Sequence, residues 1–287
     1  MKKEFAIFSI IAGIIISLQT ACNTNNATST TDKNKDTLNA NNQGSASNNS
    51  DADLLPSLLE IGATIKNSGL TYIPGLTNPI TDVSKYSTAY DQYLNLGIYF
   101  ADLSYCTLNK QNQQSTNYVE AVKAISNEIG IGQIFGSNAF SQRYQANLDN
   151  EDSLTAIVAD LQVKVDDLLK VNLQNKMRVV IYSGAWVENM FIGAKVTDKS
   201  KNINTGFQIV EQMTMLDNML KVLDEYKSSD QNLQNLYADL KQVSDTYHSF
   251  DEAKNYNPDS KLPFTLTDEH SKKLTELLEA LHKKYIK

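Results

Sequence analysis

From Leu54 to Lys287 the apolar residues recur at intervals of three and four, and no segment alternates long enough to line one face of a strand. That spacing gathers them on one side of a 3.6-residue turn, so the chain reads as all-α, a multi-helix bundle. Helices are predicted over 54–67, 84–110, 115–129, 137–148, 152–172, 175–196, 205–227, 230–250 and 267–285. Four of the five prolines fall in two breaks, Pro74 and Pro79 in YIPGLTNPI and Pro258 and Pro263 in NYNPDSKLPF. Pro56 sits in a first turn, where a helix tolerates it. Polar cap candidates are Asp53, Ser84, Ser115, Asp230 and Thr267. The closing TDEHSKKLTELLEALHKKYIK places acids in its first turns and lysines in its last, as the helix dipole favours.

The first fifty-three residues follow other rules. Met1-Lys2-Lys3 is a short basic start, and Phe5 to Leu18 carries no charge. As a helix that stretch spans only ~21 Å, short of the ~30 Å hydrocarbon core of a bilayer, so it suits a cleaved signal better than a permanent span. Thr20, Ala21 and Cys22 then resemble the lipobox of bacterial lipoproteins, whose signal ends in a small residue before the lipidated cysteine; Gln19 stands where an aliphatic residue is usual. The resemblance implies a signal peptide over 1–21 and a lipid on Cys22, with several acyl chains giving stable anchoring. Asn23 follows, not the Asp that such lipoproteins use for inner-membrane retention. An outer-membrane destination is therefore expected, and with no acid between Cys22 and Asp32, its periplasmic face. An ordinary secretory signal with a stray cysteine is the competing reading.

Residues 22–53 form a tether. Leu38 is the sole large apolar side chain from Asn23 to Asp53, too little to offset ordering entropy. A flexible coil of that length averages ~30 Å end to end. Residues 54–287 then make one helical domain.

Two segments of the domain look alike. LGIYFADL from Leu96 and SGAWVENM from Ser183 align at an offset of 87, matching Gly97 with Gly184, Tyr99 with Trp186, Asp102 with Asn189 and Leu103 with Met190. A duplication would give two pseudo-symmetric repeats of about four helices; shared helical pattern accounts for part of the likeness. Each glycine costs roughly 1 kcal/mol in a helix interior against alanine, and the simplest reason to keep one is a second backbone close by. The helices 84–110 and 175–196 are thus expected side by side in the core, with Ala101, Gly193 and Ala194 extending the contact.

A polar line runs along these helices: Asn95, Asp102 and Asn109 at intervals of seven, near Tyr99 and Cys106, with Arg178, Tyr182, Trp186 and Asn189 on the second. It reads either as a polar-aromatic groove for a sugar-like or amphiphilic ligand, or as the solvated edge of two buried helices. Trp186 is the single tryptophan, and its indole N–H needs a partner if buried. Tyr99, Asp102, Trp186 and Asn189 are the candidate ligand-binding residues.

No catalytic pattern emerges. His248, His270 and His282 lie at no metal-ligand spacing and read as solvated; no metal or other cofactor is expected. Cys106 reads as a small core residue. Asp102 and Glu188 could pair as acid and base, but Glu188 aligns with Ala101 under the repeat, which argues against a shared groove. Asp166-Asp167 reads as a solvated face, and GIGQIFG at 130–136 as a terminator and turn. The 26 basic and 33 acidic residues become 24 and 32 once Lys2, Lys3 and Glu4 are removed, a net charge of −8 that excludes a basic nucleic-acid footprint.

The run YLNLGIYFADLSYCTLNKQ…NYVEAVKAISNEIGI, with SGAWVENMFIGA, resembles a group of uncharacterised Bacteroidota lipoproteins over residues 85–230. That resemblance implies a Gram-negative envelope and an all-helical periplasmic domain; it carries no activity, substrate or catalytic residue. The expected function is a non-enzymatic binding or envelope-assembly module, held to the membrane by its Cys22 lipid and meeting an envelope protein. The alternative is a carrier of a small ligand in the polar-aromatic groove.

Overall fold

A computed structural model describes residues 55–56, 72–136, 138–171, 175–200, 205–259 and 264–287, with the backbone alone at 197–200 and 205–208. Cys22, the signal, the tether and the helix expected over 54–67 (all but 55 and 56) lie outside these residues. The described residues belong to one compact unit, Asn48–Lys287. They are all-α, with no strand among them.

The helices are α1 (Ala89–Leu108), α2 (Asn112–Glu128), α3 (Ala139–Gln145), α4 (Glu151–Val171), α5 (Asn175–Ser200), α6 (Thr205–Tyr226), α7 (Gln231–Ser249), the single turn α8 (Asp251–Lys254) and α9 (Asp268–Tyr285). Periodicity places most ends within a few residues. The largest difference is the start of α1. Residues Ile80–Lys85 form a 3-10 turn instead, and Thr88, not Ser84, caps α1 by accepting from the Asp91 amide. Asp230 and Thr267 do cap α7 and α9 through their side chains. Ser115 is no cap: α2 begins at Asn112, and the Ser115 hydroxyl donates back to the Asn112 carbonyl. The 130–136 segment is a 3-10 turn closed by Gly136 in the left-handed region at φ 52°.

α1 and α5 form the centre. Residues Tyr93 to Thr107 are buried without interruption, as a helix wrapped on all sides requires. α2 and α4 flank α1, α6 and α9 flank α5, and α7 closes over α6 and α9. The two central backbones meet at the glycines. A Cβ on Gly97 would lie 1.9 Å from the Ile181 carbonyl oxygen, and one on Gly184 would lie 2.0 Å from that of Leu94. The contact is reciprocal, each glycine meeting the residue three before the other. Further along, Tyr105 packs with Phe191, Ile192 and Val196, so α1 and α5 run in the same direction. Beyond this crossing the two halves are built differently: α2 leads through a 3-10 turn into the seven-residue α3, α6 through a three-residue turn into the nineteen-residue α7. Gly193 is not part of the seam, since a Cβ there would meet nothing within 4 Å. Ala101 is buried.

A strap of residues 72–86 crosses α1, turning at Pro74-Gly75, where the Leu76 amide donates to the Ile73 carbonyl, and ending in the 3-10 turn. Side chains of α1 and α2 hold it, Gln92 among them, whose Nε2 donates to the Tyr86 carbonyl at 3.1 Å. The Tyr105 hydroxyl accepts from the Ile73 amide at 2.8 Å, Tyr99 donates to the Pro79 carbonyl at 2.7 Å, and Tyr118 donates to the Asn78 carbonyl. Asp102 Oδ2 accepts from both the Asn78 amide and its side-chain nitrogen, at 3.1 and 2.9 Å. The tyrosines of α1 thus satisfy backbone groups that no ladder would.

Candidate functional site

The polar line on α1 and α5 is neither an open groove nor a solvated edge. Tyr99, Asp102 and Trp186 are 0% exposed and Asn189 6%. Trp186 Nε1 donates to the Gln212 carbonyl at 3.0 Å, which settles the indole's need for a partner inside the core. Tyr99 and Asp102 bind the strap. Asn95, also fully buried, donates to the Asp91 carbonyl of its own helix and to the Tyr285 carbonyl of α9. Of the four candidates, Tyr99 and Asp102 share the strap interface, while Trp186 faces α6; the structure does not gather them around a ligand space. Among the described residues these four side chains line no open groove.

What the structure gathers instead is a buried titratable cluster: Asp102, Glu188 and His282, with Asn78 from the strap. His282 Nδ1 lies 2.7 Å from Glu188 Oε2, the ring is stacked at 3.8 Å on Phe191, and only 6% of the residue is exposed. The expectation of a solvated His282 is overturned, as is that of a Glu188 turned away from Asp102. The register explains the second correction. Glu188 follows Gly184 by four residues and Asp102 follows Ile98 by four, so both lie on the seam of two parallel helices. Repeat equivalence was the wrong test; face equivalence finds them.

The protonation of this cluster follows from its partners. Asp102 Oδ1 and Glu188 Oε1 are buried with no hydrogen-bond partner, although the two side chains lie within hydrogen-bonding reach. Two facing acceptors need a proton between them. Burial holds the Asp102 carboxyl well above the carboxylate range, and the neighbouring Glu188 charge adds to this; bonds from Asn78 pull the other way. Burial likewise lifts Glu188 to about 8, opposed by hydrogen bonds from Asn78 and Asp102. Burial lowers His282 to about 4, against the attraction of the Asp102 charge. A consistent arrangement has Asp102 donating to Glu188 Oε1, and a second proton between Glu188 Oε2 and His282 Nδ1. The cluster is then neutral, which a low-dielectric interior demands. Among the described residues no group of three or more His, Cys, Asp or Glu is arranged to hold a metal ion, this one included.

The cluster sets a pH dependence with a definite sign. Asp102 and Glu188 keep protons in the folded chain that the unfolded chain releases at ordinary carboxyl values. Their contribution is complete below about pH 4.5 and declines as pH rises through about 8. His282 acts oppositely, losing its contribution as pH falls from 6.5 towards 4. Two acids outweigh one imidazole, so stability should decline from pH 5 to pH 8, each linked proton contributing up to about 1.4 kcal/mol per pH unit. Urea unfolding at pH 5, 6.5 and 8 checks this, with Glu188→Gln expected to flatten the decline. A wild-type stability that rises over this range would mean the cluster is buried ionised.

Two further polar sites escaped the sequence reading. An open cleft of about 460 Å³ lies between α6 and α7, lined by Asp217, Tyr237, Lys241, Ser244 and His248 among others. Asp217 accepts from the Ser244 hydroxyl at 2.8 Å and lies 2.9 Å from His248 Nε2. Serine and imidazole both spend their contacts on the carboxylate, so this is no serine–histidine nucleophile pair. Ser244 and His248 are four apart on α7, a visible signal; their partner 27 residues earlier was not. The second is Asp166, 6% exposed and not the solvated side chain expected, which lies 3.1 Å from Nε of the equally buried Arg178. Cys106 is buried and free, and burial raises its thiol far above the ordinary value, so it is an inert core residue.

The fold and these sites define an all-helical bundle whose buried polar groups bind its own backbone and one another. Comparison with protein-family models, curated proteins and solved structures returned no match.

Proposed function

We propose that this protein is a lipid-anchored helical module of a bacterial outer membrane, tethered through Cys22 on the periplasmic side and acting by binding an envelope partner, without catalysis. The observation that carries this reading is the closure of the candidate site. Tyr99, Asp102 and Trp186 are sealed from water and committed to the strap and to the Gln212 carbonyl. Residues that could have performed chemistry instead hold the fold.

Two observations accompany it. No described helix is long and apolar enough to cross a membrane. The exposed large apolar side chains among the described residues are Ile80, Val163 and Val171. The cysteine is the first thing to test. Grown with an alkyne fatty acid, the full chain should take up label and fractionate with the outer membrane, and Cys22→Ser should lose both properties. A wild-type chain released without label would replace the anchor by an ordinary secretory signal, and label persisting on Cys22→Ser would move the lipid away from Cys22.

A further inference from the structure

The strap and the buried cluster meet at one residue. Asn78 gives two hydrogen bonds to Asp102 Oδ2, and Asp102 shares its other oxygen's environment with Glu188, which reaches His282 on α9. We propose that residues 72–86 form a proton-controlled latch, in which loss of a proton from the Asp102–Glu188 pair releases the strap while the helices stay folded.

The walls of the cluster decide which part yields. Three of them, α1, α5 and α9, are long helices with internally satisfied backbones and buried apolar faces. The fourth is the strap, which has no α-helix: its 3-10 turn contributes no buried residue, and it is held by side-chain hydrogen bonds, by the buried Asn78 and Tyr86, and by the partly buried Tyr72, Ile73, Leu76 and Val83. Those bonds can be exchanged for water at little net loss, whereas an uncompensated carboxylate in a dry core cannot be kept cheaply. Local opening draws on the least stable unit, and that unit is the strap.

Charged neighbours do not remove the need to open. On the strap side stand Asp82 and the phenol of Tyr86, itself raised by burial to about 12. α1 and α2 contribute Tyr99, Cys106 and Tyr118, all held protonated by burial. From α5 and α9 come Lys195, Glu279 and Lys283 around His282. Lys195 is already ion-paired with Glu279, and Lys283 is exposed. Deprotonation therefore leaves a net negative charge that only water can relieve. Charge on Asp102 alone would tighten its grip on Asn78; charge on the pair, with His282 neutral, favours hydration of the whole cluster. The latch does not depend on the anchor at Cys22, since it is built from the folded unit alone.

Hydrogen exchange on the full chain tests it. Amides of the 73–79 segment, which include Ile73 and Asn78, should lose protection roughly tenfold or more between pH 6 and pH 9 after correction for intrinsic exchange, as one linked proton requires. Amides of α7, which open only with the whole fold, should stay better protected than those of the strap at both values. Glu188→Gln cannot ionise and should keep the strap protected at both values. Tyr105→Phe should lower protection at Ile73 equally at both, showing that the readout sees the strap. The proposal fails if strap protection in the wild type tracks that of α7, or if Glu188→Gln opens with the wild-type profile. Should Glu188→Gln not fold, the wild-type comparison of strap with α7 decides alone.

Discussion

Gly97→Ala should cost at least about 3 kcal/mol, at the upper end for overpacking, although alanine is the better helix former by roughly 1 kcal/mol. The new methyl would sit 1.9 Å from the Ile181 carbonyl oxygen, 2.9 Å from its carbon and 2.8 Å from the Ala185 nitrogen. All three are backbone atoms of a helix whose side chains are fixed on every side, so nothing flexible can give way. α1 and α5 would have to move apart, stripping contacts from Leu94, Ile98 and Ala101 on one side and Ile181 and Ala185 on the other. Gly184→Ala should do the same through the Leu94 carbonyl. Gly193→Ala is the control: it lies in the same helix with open space beside it, and should stabilise by about 0.5–1 kcal/mol. Urea midpoints of the three variants distinguish close approach from helix propensity. If Gly97→Ala and Gly193→Ala shift the midpoint alike, the seam is looser than the geometry requires.

These glycines also mark how far local pattern carries. The helices could be read because the three-and-four spacing is written into each segment separately. The glycine seam could be read because an interior glycine is costly wherever it stands. Asp102, Trp186 and Glu188 could be noticed as unusual, but their roles could not be assigned, and His282 looked like a solvated imidazole. Glu188 and His282 are 94 residues apart, and nothing local says that α9 lays its imidazole on Phe191. The strap was missed for the same reason. Its partners Tyr99, Tyr105 and Tyr118 look, in sequence, like core aromatics with hydroxyls reaching water. Ser84 looks as good a cap as Thr88; the difference is that the hydrogen bonds of Tyr99 to Pro79 and of Asp102 to Asn78 hold the preceding segment across α1. Burial of a polar side chain is decided by which element covers it, and helical periodicity carries that information only for apolar faces.

Asp166→Ala should destabilise by about 3–5 kcal/mol, because it strands a buried cation. Arg178 is 4% exposed; its Nε meets Asp166 Oδ1 at 3.1 Å, its Nη1 donates to Asn175 Oδ1 at 2.9 Å, and its guanidinium lies 5.7 Å from the centre of the Tyr182 ring. Without the carboxylate, an amide oxygen and a ring face remain, too little to balance a desolvated charge. Lys170, the other partner of Asp166, has a half-exposed side chain and can turn to water, so it adds little to the loss. Replacing both residues, Asp166→Leu with Arg178→Met, should recover most or all of the stability, since paired burial of charge gains little over apolar packing. The pair ties the penultimate turn of α4 to the first of α5, and so fixes the point from which α5 runs up to its crossing with α1. If the double variant is as stable as wild type and keeps the buried emission of Trp186, packing alone sets that register. If it is stable but Trp186 shifts to the red, the ion pair positions α5, and the glycine seam depends on it.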